Sequence, residues 1–141
     1  AFRSAFKRRR CLVPASGFYE WRAEPGKRGK TPMYITMQDG QPFAFAGLWE
    51  DWNAPDGSRI LSCTIITTEP NPLMAETHNR MPVVLPPSAY AQWLTPGEVP
   101  PARLTGLLQP YPAEAMRAHP VSTLVNSPGN DAADCVRPLA D

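Results

Sequence analysis

A carboxylate inside a short aromatic segment is the first feature of this sequence that could carry chemistry. Glu20 lies in Gly17-Phe18-Tyr19-Glu20-Trp21, where three aromatic side chains would partly remove it from water. A carboxyl group in such surroundings can exchange a proton near neutral pH and act as a general acid or base. The alternative is a strand glutamate in a salt bridge, which is the more frequent arrangement when the residue is considered alone.

A histidine and an arginine two residues apart form the second feature. His78 and Arg80 lie in Thr77-His78-Asn79-Arg80-Met81-Pro82 and would point the same way if this segment were extended. Imidazole moves protons at neutral pH and guanidinium binds anions, so the pair predicts a proton shuttle beside an anion clamp. His119 is the other of the two histidines, and we expect it to be structural.

The cysteines Cys11, Cys63 and Cys135 are expected to be structural. Their odd number and wide separation argue against a disulfide framework and a zinc cluster, and they indicate a reducing compartment. Cys11 follows Lys7-Arg8-Arg9-Arg10, and these cations could lower the pKa of its thiol, but the apolar residues after it favour packing. Cys63 lies in the middle of a predicted strand and is expected in the core. We expect no metal and no cofactor.

Positive charge is concentrated at the start of the chain. Residues 1–30 contain nine basic and two acidic residues, although the whole chain has a net charge of only +1. This segment could face a polyanion; the alternative is a solvated face or an opening helix balanced by acids elsewhere in the fold. The longest apolar stretches, such as residues 43–49, are too short to cross a bilayer.

Short elements must position these residues. The 18 prolines among 141 residues leave few windows for a helix longer than a few turns. Alternating apolar and polar residues, and short apolar runs, indicate strands instead. The predicted strands are 11–21 with a bend at Gly17, 33–37, 43–46, 61–66 and 121–125.

The connections and helices complete the predicted fold. Asp39-Gly40 is a turn signal that predicts a hairpin between strands 33–37 and 43–46. Apolar residues at helical spacing predict short helices within 88–94 and 101–108. The expected fold class is therefore α+β, dominated by strands in a sheet-like or barrel-like arrangement, with short peripheral helices.

Four sequence blocks occur in a characteristic order. They are Arg9 to Trp21, Phe45 to Trp49, Ile65 to Asn71, and His78 to Pro82. Together these blocks resemble the SRAP family, the SOS-response-associated peptidase domains. The resemblance covers nearly the whole chain but only about the C-terminal two thirds of the family domain, so we expect residues 1–141 to form one domain that lacks its N-terminal part.

The resemblance implies a DNA-damage response protein. Members of the family recognise abasic sites in single-stranded DNA and attach to the opened sugar through a cysteine at the mature N-terminus, after removing their own initiator residue. The partner would be single-stranded DNA with abasic sites, not a membrane, and the protein would act as a monomer in the bacterial cytoplasm or nucleoid.

The family's functional residues can be matched to this sequence one by one. Glu20 and His78 correspond to its active-site glutamate and histidine. Arg80 would contact a backbone phosphate, and Trp21 would line the DNA side of the site. From the early basic cluster, Arg9 and Arg10 would hold the DNA backbone.

The family's nucleophile has no match in this sequence. No cysteine stands near the first residue, and Cys11 occupies an internal family position, where its amine is in a peptide bond. We therefore expect residues 1–141 by themselves not to crosslink. Two alternatives are a non-catalytic single-stranded nucleic-acid-binding module and, ranked lower, a general protease of the kind the family name suggests.

Overall fold

The computed structural model describes residues 2–140, and its regular elements are short. The eleven-residue β4 is the longest strand and the seven-residue α1 is the longest helix in this range. Short 3-10 turns lie between several of the elements. In chain order the elements are α1 (Phe2–Arg8), β1 (Arg10–Ala15), β2 (Phe18–Ala23), β3 (Lys30–Met37), β4 (Phe43–Asn53), β5 (Arg59–Ile65), β6 (Thr67–Thr68), α2 (Pro72–Ala75), β7 (Met81–Pro82), β8 (Val84–Leu85), α3 (Tyr90–Trp93) and β9 (Met116–Pro120).

The described residues form two compact units, each with its own antiparallel sheet. Unit 1 comprises residues 2–15, 43–69 and 82–111, and unit 2 comprises residues 16–42, 70–81 and 112–140. The predicted α+β class is confirmed, but the two sheets are open rather than barrel-like. That the two units behave as one domain stays a prediction.

The sheet of unit 1 is built around β4. Strand β4 pairs with β1 on one side and with β5 on the other, and β8 also pairs with it. A tight turn after Asn53 joins β4 to β5, and Gly57 adopts a φ of 87° there, which a residue with a side chain rarely accepts. The strand predicted at 61–66 is confirmed as most of β5.

The core of unit 1 forms under one face of this sheet. Trp93 is fully buried, donates a hydrogen bond from Nε1 to the carbonyl of Cys11 (2.8 Å) and meets the ring of Phe6 edge-on. The predicted helix at 88–94 is a 3-10 turn followed by α3, and that at 101–108 is two 3-10 turns. The buried members of this core are Ala5, Ala46, Leu48, Val83, Leu85, Ala89, Trp93, Val99 and Leu104.

The sheet of unit 2 has the order β2-β3-β9 and carries a methionine-rich core. Along β3, Met33, Ile35 and Met37 are buried and alternate with partly exposed residues, as one covered face requires. All five methionines of the chain are buried in this unit, where their flexible side chains fill irregular space.

Gly17 lies at the predicted bend between β1 and β2, and its lack of a side chain is required there. A Cβ atom at this position would overlap the ring of Tyr34. Glycine therefore lets the chain turn into β2 while an aromatic ring packs directly on the backbone.

One predicted strand pairing and one predicted strand were wrong. The turn at Asp39-Gly40 forms, with a φ of 70° at Gly40, but β3 and β4 do not pair across it. The chain instead passes from the sheet of unit 2 to that of unit 1, because a local turn signal does not fix which strands become partners. The predicted strand at 121–125 is a 3-10 turn, which Ser122 caps by accepting a hydrogen bond from the Leu124 amide (3.1 Å), and the strand precedes it as β9.

Candidate active site

Strand β2 places Glu20 and Trp21 on opposite faces of the unit 2 sheet. Glu20 is half-buried and stands opposite Met33 in β3, so it shares the face of the buried Met33 and Ile35. Trp21 follows it directly and therefore lies on the other face.

The segment that carries His78 covers the same face as Glu20. Asn71 contacts the sulfur of Met116 through its side-chain nitrogen (3.4 Å), and Met116 stands opposite Met37 in the sheet. Asn71 also caps α2, and the proline after it suits the first helical position, so these two residues start the short helix that leads to His78. The structure thus brings both candidate acid-base residues to one side of the sheet.

His78 lies in a tight turn, so the condition of an extended segment, under which His78 and Arg80 would point the same way, is not met. Its Nδ1 is 3.0 Å from the backbone nitrogen of Arg80 and 3.1 Å from the backbone oxygen of the same residue. When Nδ1 accepts from the Arg80 amide, the neutral ring carries its proton on Nε2. The turn therefore anchors one ring nitrogen and leaves the other, on the exposed ring, for a ligand.

A shallow groove of about 480 Å³ lies beside His78. It is open enough for a flexible chain to enter, and both polar and apolar side chains form its wall. The lining residues are Ala23, Pro70, Ala75, Glu76, Thr77, His78 and Asn79.

On the opposite face of the sheet, four rings form a row that the C-terminal segment holds in place. The ring centroids of Trp21 and Tyr19 are 6.3 Å apart, those of Tyr19 and Tyr34 5.1 Å, and those of Tyr34 and His119 5.8 Å. Trp21 donates its indole N–H to the side-chain oxygen of Asn126 at 2.7 Å. The indole plane is thereby fixed while the side chain stays partly exposed.

Two further hydrogen bonds tie this row to the C-terminal segment. Tyr19 donates its hydroxyl to the carbonyl of Cys135 (3.0 Å), and burial raises the pKa of this phenol, which favours the protonated donor. His119 lies 2.9 Å from the carbonyl of Val136 through Nε2. This placement supports the structural role expected for His119. The sequence did not indicate these contacts for Tyr34 and Asn126. The strand register brings Tyr34 to Tyr19, and the turn at 123–126 brings Asn126 to Trp21.

The basic residues at the end of α1 are neutralised within unit 1. Arg9 bonds to the carboxylate of Glu50 (3.0 Å) and to the carbonyl of Trp49 (3.1 Å). Lys7 and Arg8 both pair with Glu98, at 3.7 and 3.1 Å. These residues therefore fit the alternative to a polyanion-binding segment. They belong to the opening helix and its end, and acids elsewhere in the fold balance their positive charge.

Arg10 is buried, with 7% of its surface exposed. Its guanidinium donates to the carbonyls of Phe6 and Lys7 at the end of α1 and of Trp93 and Thr95 at the end of α3, over distances of 2.5 to 2.8 Å. Helix C-termini leave such carbonyls without intrahelical partners, and the guanidinium satisfies four of them. In contrast to the expected DNA contact, four of its five N–H donors are therefore engaged inside the unit.

The three cysteines have unequal surroundings. Cys11 is half-buried, and burial, with a smaller contribution from Cys63, raises the pKa of its thiol, which is opposite to the effect expected from the neighbouring cations. Cys135 is buried. The prediction that Cys63 lies in the core was wrong, because every residue of β5 is exposed.

Neither a metal-binding cluster nor a membrane-spanning helix occurs among the described residues. In the part of the chain that the structure describes, no three His, Cys, Asp or Glu side chains lie close enough together to hold a metal ion. Within residues 2–140 there is also no helix with the length and hydropathy needed to span a bilayer.

Known proteins resemble this chain over almost its whole length. The family model of SOS response associated peptidase (SRAP) matches residues 1–128. "Abasic site processing protein YoqW" of Bacillus subtilis (strain 168) is 47% identical over 137 residues, which cover 96% of this chain and 60% of that protein. "Abasic site processing protein HMCES" of Xenopus tropicalis is 36% identical over 152 residues, which cover 94% of this chain and 44% of that protein.

Solved structures agree with this match. A protein from Bacteroides thetaiotaomicron superposes with a TM-score of 0.86 at 31% identity, over 98% of this chain and 60% of that one. A protein from Bordetella bronchiseptica gives a TM-score of 0.76 at 35% identity, over 86% of this chain and 59% of that one. The chain thus spans about 60% of the length of its bacterial relatives. The family match and the shared α+β fold together show that this chain belongs to the SRAP family.

Proposed function

We propose that this protein processes abasic sites in single-stranded DNA, with Glu20 and His78 as its acid-base residues. The observation that carries the proposal is the anchored ring of His78 at the edge of a groove, on the same side of the sheet as Glu20. Membership in a family whose curated relatives are named abasic site processing proteins supports it.

The chemistry of an abasic sugar requires proton transfer at several points. The sugar is a masked aldehyde, and opening its ring moves a proton from the C1 hydroxyl to the ring oxygen. An amine then adds to the aldehyde and loses water to form an imine, and a thiol on the same cysteine adds to the imine carbon while its proton passes to nitrogen. A half-buried carboxyl and an imidazole suit these transfers.

The nucleophile in this proposal is a terminal cysteine that is not among residues 1–141. Cys11, Cys63 and Cys135 all have their amines in peptide bonds, so none of them can close a thiazolidine ring. Removal of the initiator residue by the protein itself would expose the terminal amine and is part of the same proposal.

The DNA strand would be held by stacking and by phosphate contacts. Trp21, with its indole fixed by Asn126, would offer a rigid surface for a base on the face opposite Glu20, and Arg80 would offer a charge two residues from His78. The strand would therefore pass around the edge of the sheet at β2. Arg9 is shared with Glu50 and would contribute weakly. Arg10 is not part of this interface, because its donors already bond to carbonyls inside unit 1.

A denaturing gel tests the acid-base assignment. The protein expressed from its natural start codon is incubated with single-stranded DNA that contains one abasic site, alongside the variants Glu20→Gln and His78→Ala. We expect a covalent band for the parent and a rate at least 100-fold lower for each variant, with DNA affinity nearly unchanged. Glu114→Gln and His119→Gln are the matched controls and should retain the band.

Other outcomes would identify a different function. Variants that crosslink at the parent rate would disprove the roles of Glu20 and His78. A parent that binds DNA but never forms a covalent band would favour the non-catalytic binding module. Turnover of an unrelated peptide would favour a general protease.

A further inference from the structure

Three basic residues lie within four positions where the chain turns from β2 to β3: Lys27 and Arg28 are in the loop, and Lys30 is the first residue of β3. Lys27, Arg28 and Lys30 are all exposed. Gly26 and Gly29 adopt φ values of 76° and 75°, so the backbone turns sharply on either side of the first two cations. The loop is thus a defined turn that presents positive charge to solvent.

This positive charge is only partly balanced, because Glu24 lies close enough to Lys27 for electrostatic attraction. Glu24 is the acid at the base of the loop, and it accepts two hydrogen bonds from the guanidinium of Arg22 at 2.8 and 2.9 Å. These bonds hold the pKa of Glu24 below its usual range, so the carboxylate stays paired with Arg22. Among the residues that the structure describes, no carboxylate lies within 4 Å of the charged groups of Lys27, Arg28 or Lys30.

The loop begins at the groove that contains His78. Ala23, the last residue of β2, lines that groove together with His78 and Asn79. A strand bound with one nucleotide at His78 would therefore carry its neighbouring phosphates past the start of the loop. Glu76 on the groove wall is a single opposing charge against the three cations of the loop.

We propose that the loop from Lys27 to Lys30 is a phosphate-binding arm that holds the single-stranded DNA backbone beside the His78 groove. This inference rests on the proposed function and assigns the electrostatic contact to unit 2 rather than to the end of α1. Flexible lysine and arginine side chains on a turn recognise backbone charge and not base sequence. The contact weakens with salt, because each neutralised phosphate releases counterions.

A salt series of DNA affinities tests the arm. The triple variant Lys27→Gln, Arg28→Gln, Lys30→Gln is compared with Arg103→Gln, Arg117→Gln, Arg137→Gln, which removes the same charge at other exposed positions. Fluorescence anisotropy of labelled single-stranded DNA, with and without one abasic site, gives the affinity at each salt concentration. Thermal unfolding by circular dichroism verifies that both variants are folded.

We expect the loop variant to lose at least tenfold in affinity for both DNAs at low salt. The slope of log affinity against log salt should become shallower by about 2, since each phosphate contact on a single strand contributes about 0.7. The control variant should change affinity less than threefold and keep the parent slope. At saturating DNA, the loop variant should form the covalent product at the parent rate.

The arm and the proposed function fail in different ways. Equal losses in the loop and control variants would overturn the arm and leave the site at Glu20 and His78 intact. A loop variant that binds normally but loses the covalent product would also overturn it as a binding element. A parent protein with no affinity for either DNA would overturn both proposals.

Discussion

Units 1 and 2 use the same kinds of charged and reactive side chains for different purposes. In unit 1, Arg10 is buried against four carbonyls and Arg9 is paired with Glu50. In unit 2, His78 is exposed at a groove, and in the described part of the chain no carboxylate forms an ion pair with the loop cations around Arg28, although Glu24 attracts Lys27. In unit 1, Arg9 and Arg10 therefore bind groups of the unit itself, a carboxylate and the carbonyls at helix ends.

The difference shows that neighbours, and not residue type, decide what a cation does. In unit 1, α1 and α3 end where the guanidinium of Arg10 reaches their C-terminal carbonyls. Glu50 on β4 pairs with Arg9, and Glu98 pairs with the last two cations of α1. Residues 25–30 of the unit 2 loop are exposed, and its acid Glu24 is already bonded to Arg22. An arginine between two helix ends stabilises the fold, whereas one on an exposed turn stays available to an anion.

The largest effect that tests this comparison is expected at Arg10. Arg10→Met keeps an apolar stem but removes the guanidinium from four carbonyls, of which that of Lys7 keeps a bond from the Val99 amide, and we expect a loss of about 3 kcal/mol or more in the free energy of unfolding. Arg9→Met is the matched control, and it should cost less than about 1 kcal/mol because its ion pair is partly exposed. Urea denaturation measures both. Equal costs would contradict the distinction between a structural and a surface arginine.

An intermediate effect is expected at Gly17, a framework position in unit 2. Gly17→Ala places a Cβ on the ring of Tyr34 and should destabilise the protein by about 1 to 3 kcal/mol. Gly129→Ala, where a Cβ would meet nothing within 4 Å, is the control and should be nearly neutral.

A double-mutant cycle identifies the cause at Gly17. If the clash with the ring is responsible, Tyr34→Ala and Gly17→Ala together should cost less than the sum of the two single changes. Strict additivity would show that Gly17 acts through backbone conformation instead.

The smallest effect is expected in thiol reactivity, and it tests whether Cys11 is as inert as its surroundings indicate. Burial raises the pKa of Cys11, so less thiolate is present at any given pH, and its alkylation should keep accelerating above the ordinary pKa of a thiol. Iodoacetamide labelling followed by mass spectrometry should find exposed Cys63 modified at least tenfold faster than Cys11 at neutral pH. Equal rates would return Cys11 to the candidate nucleophiles.

Local patterns predicted individual strands better than their partners. The alternation around Gly17 gave β1 and β2 and the opposite faces of Glu20 and Trp21, because side chains alternate along any strand. The hairpin around Gly40 failed, since the turn forms but its flanking strands pair elsewhere. The segment at His78 is not extended, because the His78 ring bonds to the backbone of Arg80, and periodicity alone could not indicate that turn.

The short elements, the α+β class and the residues that resemble a known family could all be predicted from the amino-acid sequence. These depend on proline content, on side-chain alternation and on the order of motifs, all of which are local or linear properties. The three-dimensional fold was needed to show that Arg10 is structural, that Asn126 fixes Trp21, and that no described carboxylate forms an ion pair with Arg28. Burial and partner choice decide these roles, and both depend on residues far away in the chain, which no short segment of sequence contains.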